Sequence, residues 1–260
     1  MREPSRAIST MRPVRNGAMA GAALGLALAF ALAGRAAAAP FEDTIAQRVL
    51  ACTGCHGREG RAAPDGYYPR IAGKPAGYLF NQLRHFRDGR RHYELMAGLV
   101  EWLDDAYLRE IAEHFAGLDL PYPPPSPPVE SAELRGLGEV LVRRGNPERG
   151  VPACNDCHGA TMTGRAPFIP GLLGLPRDYL NAQLGAWKSG KRQATTPDCM
   201  AQVAARLTPD DIGAVSAWLA AQPVPAHAQP ASEPVGMLPL RCGGIDASVA
   251  DGAASRARPK

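Results

Sequence analysis

The chain has 260 residues, with 29 Lys and Arg against 25 Asp and Glu, 6 Cys and 6 His. Five of those Arg and one Glu precede Ala39, so the remainder balances at 24 of each sign and has no surplus positive charge with which to hold nucleic acid. Its length suits one large domain or two small ones.

The first element is a leader. Arg2, Arg6, Arg12 and Arg15 form a positive start, residues 18–33 are an apolar run, and RAAAAPFED follows with small residues at A-x-A spacing. This pattern is a secretory signal peptide cleaved after Ala38, which places the mature chain in the periplasm. A retained anchor is disfavoured, because the run of 16 residues is shorter than the roughly 20 that span a bilayer and Arg35 follows it.

Residues 41–51 read as a short helix leading into ACTGCHG, and a near copy, ACNDCHG, occupies 153–159. Composition alone would place about 0.003 C-x-x-C-H matches in such a chain. Two thiols at this spacing can add to the two vinyl groups of one haem, and the His that follows sits under the iron. Cys52 and Cys55 are therefore expected as thioethers with His56 as proximal ligand, and Cys154, Cys157 and His158 as a second set. A zinc ribbon would bring its pairs within about 20 residues, and a redox dithiol would sit near a βαβ pattern, which the sequence lacks. Two covalently attached haem c groups are the cofactors implied.

The next elements repeat. YPRIAGKPAGYLFNQLRHFRDGRR aligns with IPGLLGLPRDYLNAQLGAWKSGKR at an offset of 101, matching Pro69 with Pro170, Gly73 with Gly174, Tyr78 with Tyr179, Gln82 with Gln183 and Gly89 with Gly190. Residues 78–86 and 179–187 read as helices that stop before a Gly. Asp104 caps a helix with Leu108, Ile111, Phe115 and Leu118 on one stripe. Thr208, Pro209, Asp210 and Asp211 open its counterpart, striped by Ile212, Val215 and Leu219. Between the copies, six Pro in 121–128 favour an extended, semi-rigid connector. Residues 130–144, with Leu134, Leu137 and Leu141 at helical spacing, deliver the chain to the second motif. No alternating run argues for a sheet, so the fold class is all-α.

Each iron needs a sixth ligand or stays open. Met1, Met11 and Met19 belong to the leader, Met237 lies in a Pro-rich tail, and Met162 is too close to His158 to cross to the far face. Met96 and Met200 fall at equivalent points of the duplication and are the expected thioether ligands.

These motifs, with GNPERGVPACNDCHG and the LTPDDIGAVSAWLA ending, resemble the di-haem cytochrome c4 family over nearly all of the mature chain to about Pro223. The resemblance implies two tandem class I cytochrome c domains facing across a pseudo-twofold. It also implies that backbone near Pro69 and Pro170 accepts the proximal His N–H, and that electrons pass towards a terminal oxidase. The expected organisation is leader 1–38, first domain 39–120, connector 121–128, second domain 129–223 and an irregular extension 224–260. The extension, the Pro-dense connector and the shortened first helix depart from the family pattern.

Cys199 and Cys242 remain after haem attachment. In an oxidising compartment two leftover thiols pair, so a Cys199–Cys242 disulfide is expected. His85, His92 and His114 read as solvated helix or loop histidines rather than ligands. Phe86 and Trp187 are expected in the core against haem. Arg84, Arg87, Arg90, Arg91 and Lys188, Lys191, Arg192 could neutralise haem propionates, form a docking face or simply be solvated.

The function expected is a periplasmic electron carrier, not an enzyme, whose partners are a respiratory donor and a terminal oxidase or dehydrogenase, with no nucleic acid. Peripheral association with a membrane complex is compatible. Two alternatives stand beside it: a haem subunit of a periplasmic dehydrogenase or oxidase, and a di-haem peroxidase, which would need one open iron.

Overall fold

The structure is a computed structural model and describes residues 42–62, 66–125, 131–232 and 237–245. The expected leader and cleavage site lie outside the described residues. From Asp43 onward the described residues pack as one unit.

The helix expected over 41–51 is two short ones, α1 (Ile45–Arg48) and α2 (Leu50–His56), and the second absorbs the haem motif itself. Thr44 caps α1 through its side chain, and buried Val49 forms the break between them. The first copy continues with α3 (Ala76–Arg87), α4 (Glu94–Val100) and α5 (Asp105–Ala116). The second comprises α6 (Ala132–Arg144), α7 (Cys154–His158), α8 (Arg177–Lys188), α9 (Cys199–Arg206) and α10 (Pro209–Ala220). The sequence reading omitted α4 and α9, which begin within two residues of the candidate methionines and are too short for periodicity to register.

Local chemistry sets the boundaries. Asp104 accepts from Tyr107 N, Ser131 from Leu134 N, and Thr208 forms a reciprocal capping box with Asp211. Apolar faces then pair, α3 on α5 in the first copy, and α10 on α6 and α8 in the second. Phe80, Leu108 and Phe115 are fully buried in one core, Val142 and Leu219 in the other, and each large side chain contributes about 1.5–3 kcal/mol of apolar burial.

One expectation fails here. Leu137 is 41% exposed, and the buried residue of that turn is Gly138. A Cβ on Gly138 would stand 2.1 Å from the Ala214 carbonyl oxygen, so the missing side chain lets α6 and α10 approach at backbone distance. A small antiparallel pair also forms, β1 (Gly164–Arg165) with β2 (Ile169–Pro170). At two residues a strand is too short to show alternation.

The described part of the connector has no regular secondary structure, but it is not loose. Tyr122 stacks on Arg70, 3.8 Å from guanidinium carbon to ring centroid, and a Cβ on Gly174 would stand 2.4 Å from the Tyr122 ring. The tyrosine thus wedges between the copies. The tail is irregular apart from a turn at Gly243–Ile245. It is nonetheless tied down: Ala231 exchanges backbone bonds with Gly164 and Ala166, Gly243 N donates to Pro197 O, and Asn81 of α3 donates to Gly244 O.

Candidate haem site

Both C-x-x-C-H motifs open on one cavity of about 780 Å³ with mainly apolar walls, including Leu79, Val100 and Ile111 from the first copy and Leu180, Val215 and Leu219 from the second. Met96 and Met200 line it as well, each half-buried in the first turn of its helix. The structure therefore brings all eight expected haem-binding side chains to one cavity wall.

The two imidazoles are set alike. His56 Nδ1 lies 2.8 Å from Pro69 O and His158 Nδ1 lies 2.8 Å from Pro170 O. A carbonyl only accepts, so Nδ1 carries the proton and Nε2 keeps the lone pair that a metal needs. Burial lowers both histidine pKa values, against the opposing pull of those carbonyls, which favours the neutral ring. Burial likewise raises Cys52 and Cys157, and pushes Cys154 up to about 12.

This donor set fits haem c. Paired thiols adjoin a neutral imidazole on an apolar cavity, and among the described residues no three His, Cys, Asp or Glu side chains gather to hold a bare metal ion. Zinc would need such a cluster.

The methionine loops are held differently. In the second copy Asp198 Oδ1 accepts from Ala201 N and Oδ2 from Ala194 N, and a Cys199–Cys242 disulfide ties the tail beside Met200. In the first, Tyr93 precedes Met96 within a cluster of aromatic rings from Tyr67 and Tyr68. Leu95, Leu99 and Trp102, the counterparts of Cys199, Val203 and Arg206, are 61%, 54% and 87% exposed.

Between the copies the repeat closes on itself. Arg91 and Arg192 pair in an antiparallel bridge, and each guanidinium donates to both Gln82 and Gln183. Arg91 also donates to Tyr179 and lies over Phe86; Arg192 donates to Tyr78 and lies over Trp187. Phe86 is buried and Trp187 half-buried on the cavity wall. The basic clusters separate accordingly. Arg84 and Arg87 pair with Asp88 and Asp105, Arg90 and Lys191 are exposed, and Arg91 and Arg192 face inward without a carboxylate within salt-bridge distance among the described residues.

His85 is not solvated as expected. It is buried, its Nε2 lies 3.3 Å from Thr195 Oγ1 of the other copy, and burial followed by four surrounding arginines lowers its pKa to about 4. His92 is exposed, and His114 packs edge-on against Phe115. Sequence reasoning gave no role to Gln82, Gln183, Tyr78 or Tyr179. Their recurrence at one offset was the available signal, since packing alone does not require a glutamine twice.

No family model matches the chain. A thiosulfate dehydrogenase electron acceptor of Thiomonas intermedia is 39% identical over 173 residues, spanning 66% of this chain and 79% of that protein. Cytochrome c4 of Pseudomonas aeruginosa is 32% identical over 196 residues, 75% of this chain and 94% of that one. The crystal structure of reduced recombinant cytochrome c4 from Pseudomonas stutzeri aligns with a TM-score of 0.57 at 30% identity, covering 66% of this chain and 93% of that chain. By this likeness of sequence, fold and paired haem motifs, the chain belongs to the di-haem cytochrome c4 family.

Proposed function

We propose that the chain relays single electrons in the periplasm between a dehydrogenase and a further acceptor, through two haem domains spanning 39–120 and 129–223. Family membership makes it an electron carrier with two covalent haem c groups, not an enzyme. Haem supplies an iron that cycles by one electron, and the residues set how easily it does so. Cys52, Cys55, Cys154 and Cys157 would attach the rings, and His56 with Met96 and His158 with Met200 would hold the two irons. The observation that carries this reading is the duplicated imidazole lock on Pro69 and Pro170, with one methionine per copy on the same cavity.

The donor is proposed to be a thiosulfate dehydrogenase, on the strength of the relative that bears that role in its name. Its docking point would be the bare apolar stripe of Leu95, Leu99 and Trp102 beside Met96. The leader, cut after Ala38, supports a periplasmic location. Among the described residues no helix is long and apolar enough to cross a membrane.

One optical experiment tests both parts. Haem-loaded protein mixed with a thiosulfate dehydrogenase and thiosulfate should become reduced, and Trp102→Ser should slow this at least several-fold. The reduced wild type should bind little carbon monoxide, while Met96→Ala and Met200→Ala should each open one iron. Rapid carbon monoxide binding by the wild type would instead favour the peroxidase reading.

A further inference from the structure

The two copies differ in the buried cations they carry. Where the second carries Leu175 in its core, the first carries Lys74, which is 5% exposed. Its ammonium does not stay in its own copy. Lys74 Nζ donates to the carbonyl of Gly171 at 3.1 Å, and Gly171 follows Pro170, whose carbonyl holds the His158 ring. That loop has little freedom, since a Cβ on Gly171 would stand 2.4 Å from Thr163 O.

No carboxylate among the described residues lies within salt-bridge distance of Lys74. The charged group that acts on it is Arg70, also buried, which donates its guanidinium to the carbonyls of Ala72, Leu120 and Pro121. Arg70 matches Gly171 in the duplication, so both cations belong to the first copy alone. An ammonium has three protons to donate, and among the described residues this one has one hydrogen-bond acceptor, with the Tyr122 ring 5.9 Å away and no anion to neutralise it. Burial, and after it Arg70, lower the Lys74 pKa to about 7.

We infer that Lys74 is a positioning residue delivered by the first copy to the second haem site, where its charge, set against the loop that orients His158, raises the reduction potential of the second iron. The sign follows from Coulomb's law: oxidation adds positive charge to the iron, and a nearby buried cation opposes it. Leu175 carries no such charge to His56, where Arg91 is the cation that acts, so the Lys74 effect is confined to the second haem. The inference rests on His158 being the proximal ligand.

The test uses the full haem-loaded chain at pH 6, where the ammonium is charged. Both midpoint potentials are measured for wild type, Lys74→Leu and Lys74→Arg, and haem-methyl NMR signals assign each midpoint to a copy. Leucine is the residue the second copy itself carries there, which keeps the variant foldable. Lys74→Leu is expected to lower the second midpoint and leave the first, while Lys74→Arg retains the wild-type value. Unchanged midpoints, an equal shift of both, or an arginine variant that behaves like leucine would each overturn the inference. Failure of the underlying reading would look different: wild type would lack a covalent second haem or a low-spin second iron.

Discussion

A single hydrogen bond can fix what a side chain is able to do. Asp211, at the third position of α10, accepts from Thr208 N at 2.7 Å and from Arg149 Nη1 at 2.5 Å, and the Arg149 bond foremost holds its carboxyl below the usual aspartate range. A carboxyl depressed in the folded state adds stability above its unfolded pKa of about 4 and loses it as the pH falls through the lower folded value. Asp211→Asn should therefore cost about 1–2 kcal/mol in urea unfolding at pH 7, with the difference from wild type shrinking towards pH 2. The two C-x-x-C-H clusters and the Asp104 and Thr208 caps were legible in sequence because their chemistry is local: the spacing of a motif or a cap within four residues contains the whole requirement. His85 and Lys74 were not, since the partner of each, Thr195 or Gly171, lies 110 or 97 residues away.

Helices were readable in proportion to their length. The twelve-residue α3, α5, α8 and α10 emerged close to their expected bounds, whereas α4 and α9, of seven and eight residues, are placed by the cavity they line. The α6 stripe went astray at Leu137 for a further reason: hydrophobic periodicity assumes that side chains fill the seam between helices, and here a glycine does. Gly138→Ala tests that seam. Added volume against the Ala214 carbonyl must force the backbones apart, with an expected loss of about 1–3 kcal/mol measured by denaturant unfolding. Gly136→Ala, two residues earlier on α6 with nothing within 4 Å of its Cβ, should be neutral or slightly stabilising.

At the scale of the molecule the repeat was visible in sequence but its internal asymmetry was not. The second methionine loop is stapled by Cys199–Cys242, while the first has Leu95 at the matching position and no such tie. By chain-entropy reasoning, closing a loop of this length is worth at most about 4 kcal/mol. Cys199→Ser should therefore lower the unfolding midpoint and loosen Met200 from iron, detected as increased carbon monoxide binding and a lowered potential at the second haem, with the first unchanged. Equal change at both haems would show that the staple serves general stability only.

The tail's anchorages also impose an order on how the protein is assembled. Ala231, Cys242 and Gly244 dock on Gly164, Cys199 and Asn81, so this late stretch of chain is fastened to groups supplied by both halves. The first half can close on its own core before the later residues emerge, since domains form in N-to-C order. The second half has its methionine loop secured only when residue 242 arrives. Assembly is therefore vectorial, and a nascent chain stopped short of Cys242 leaves its second half unlatched and its first half intact.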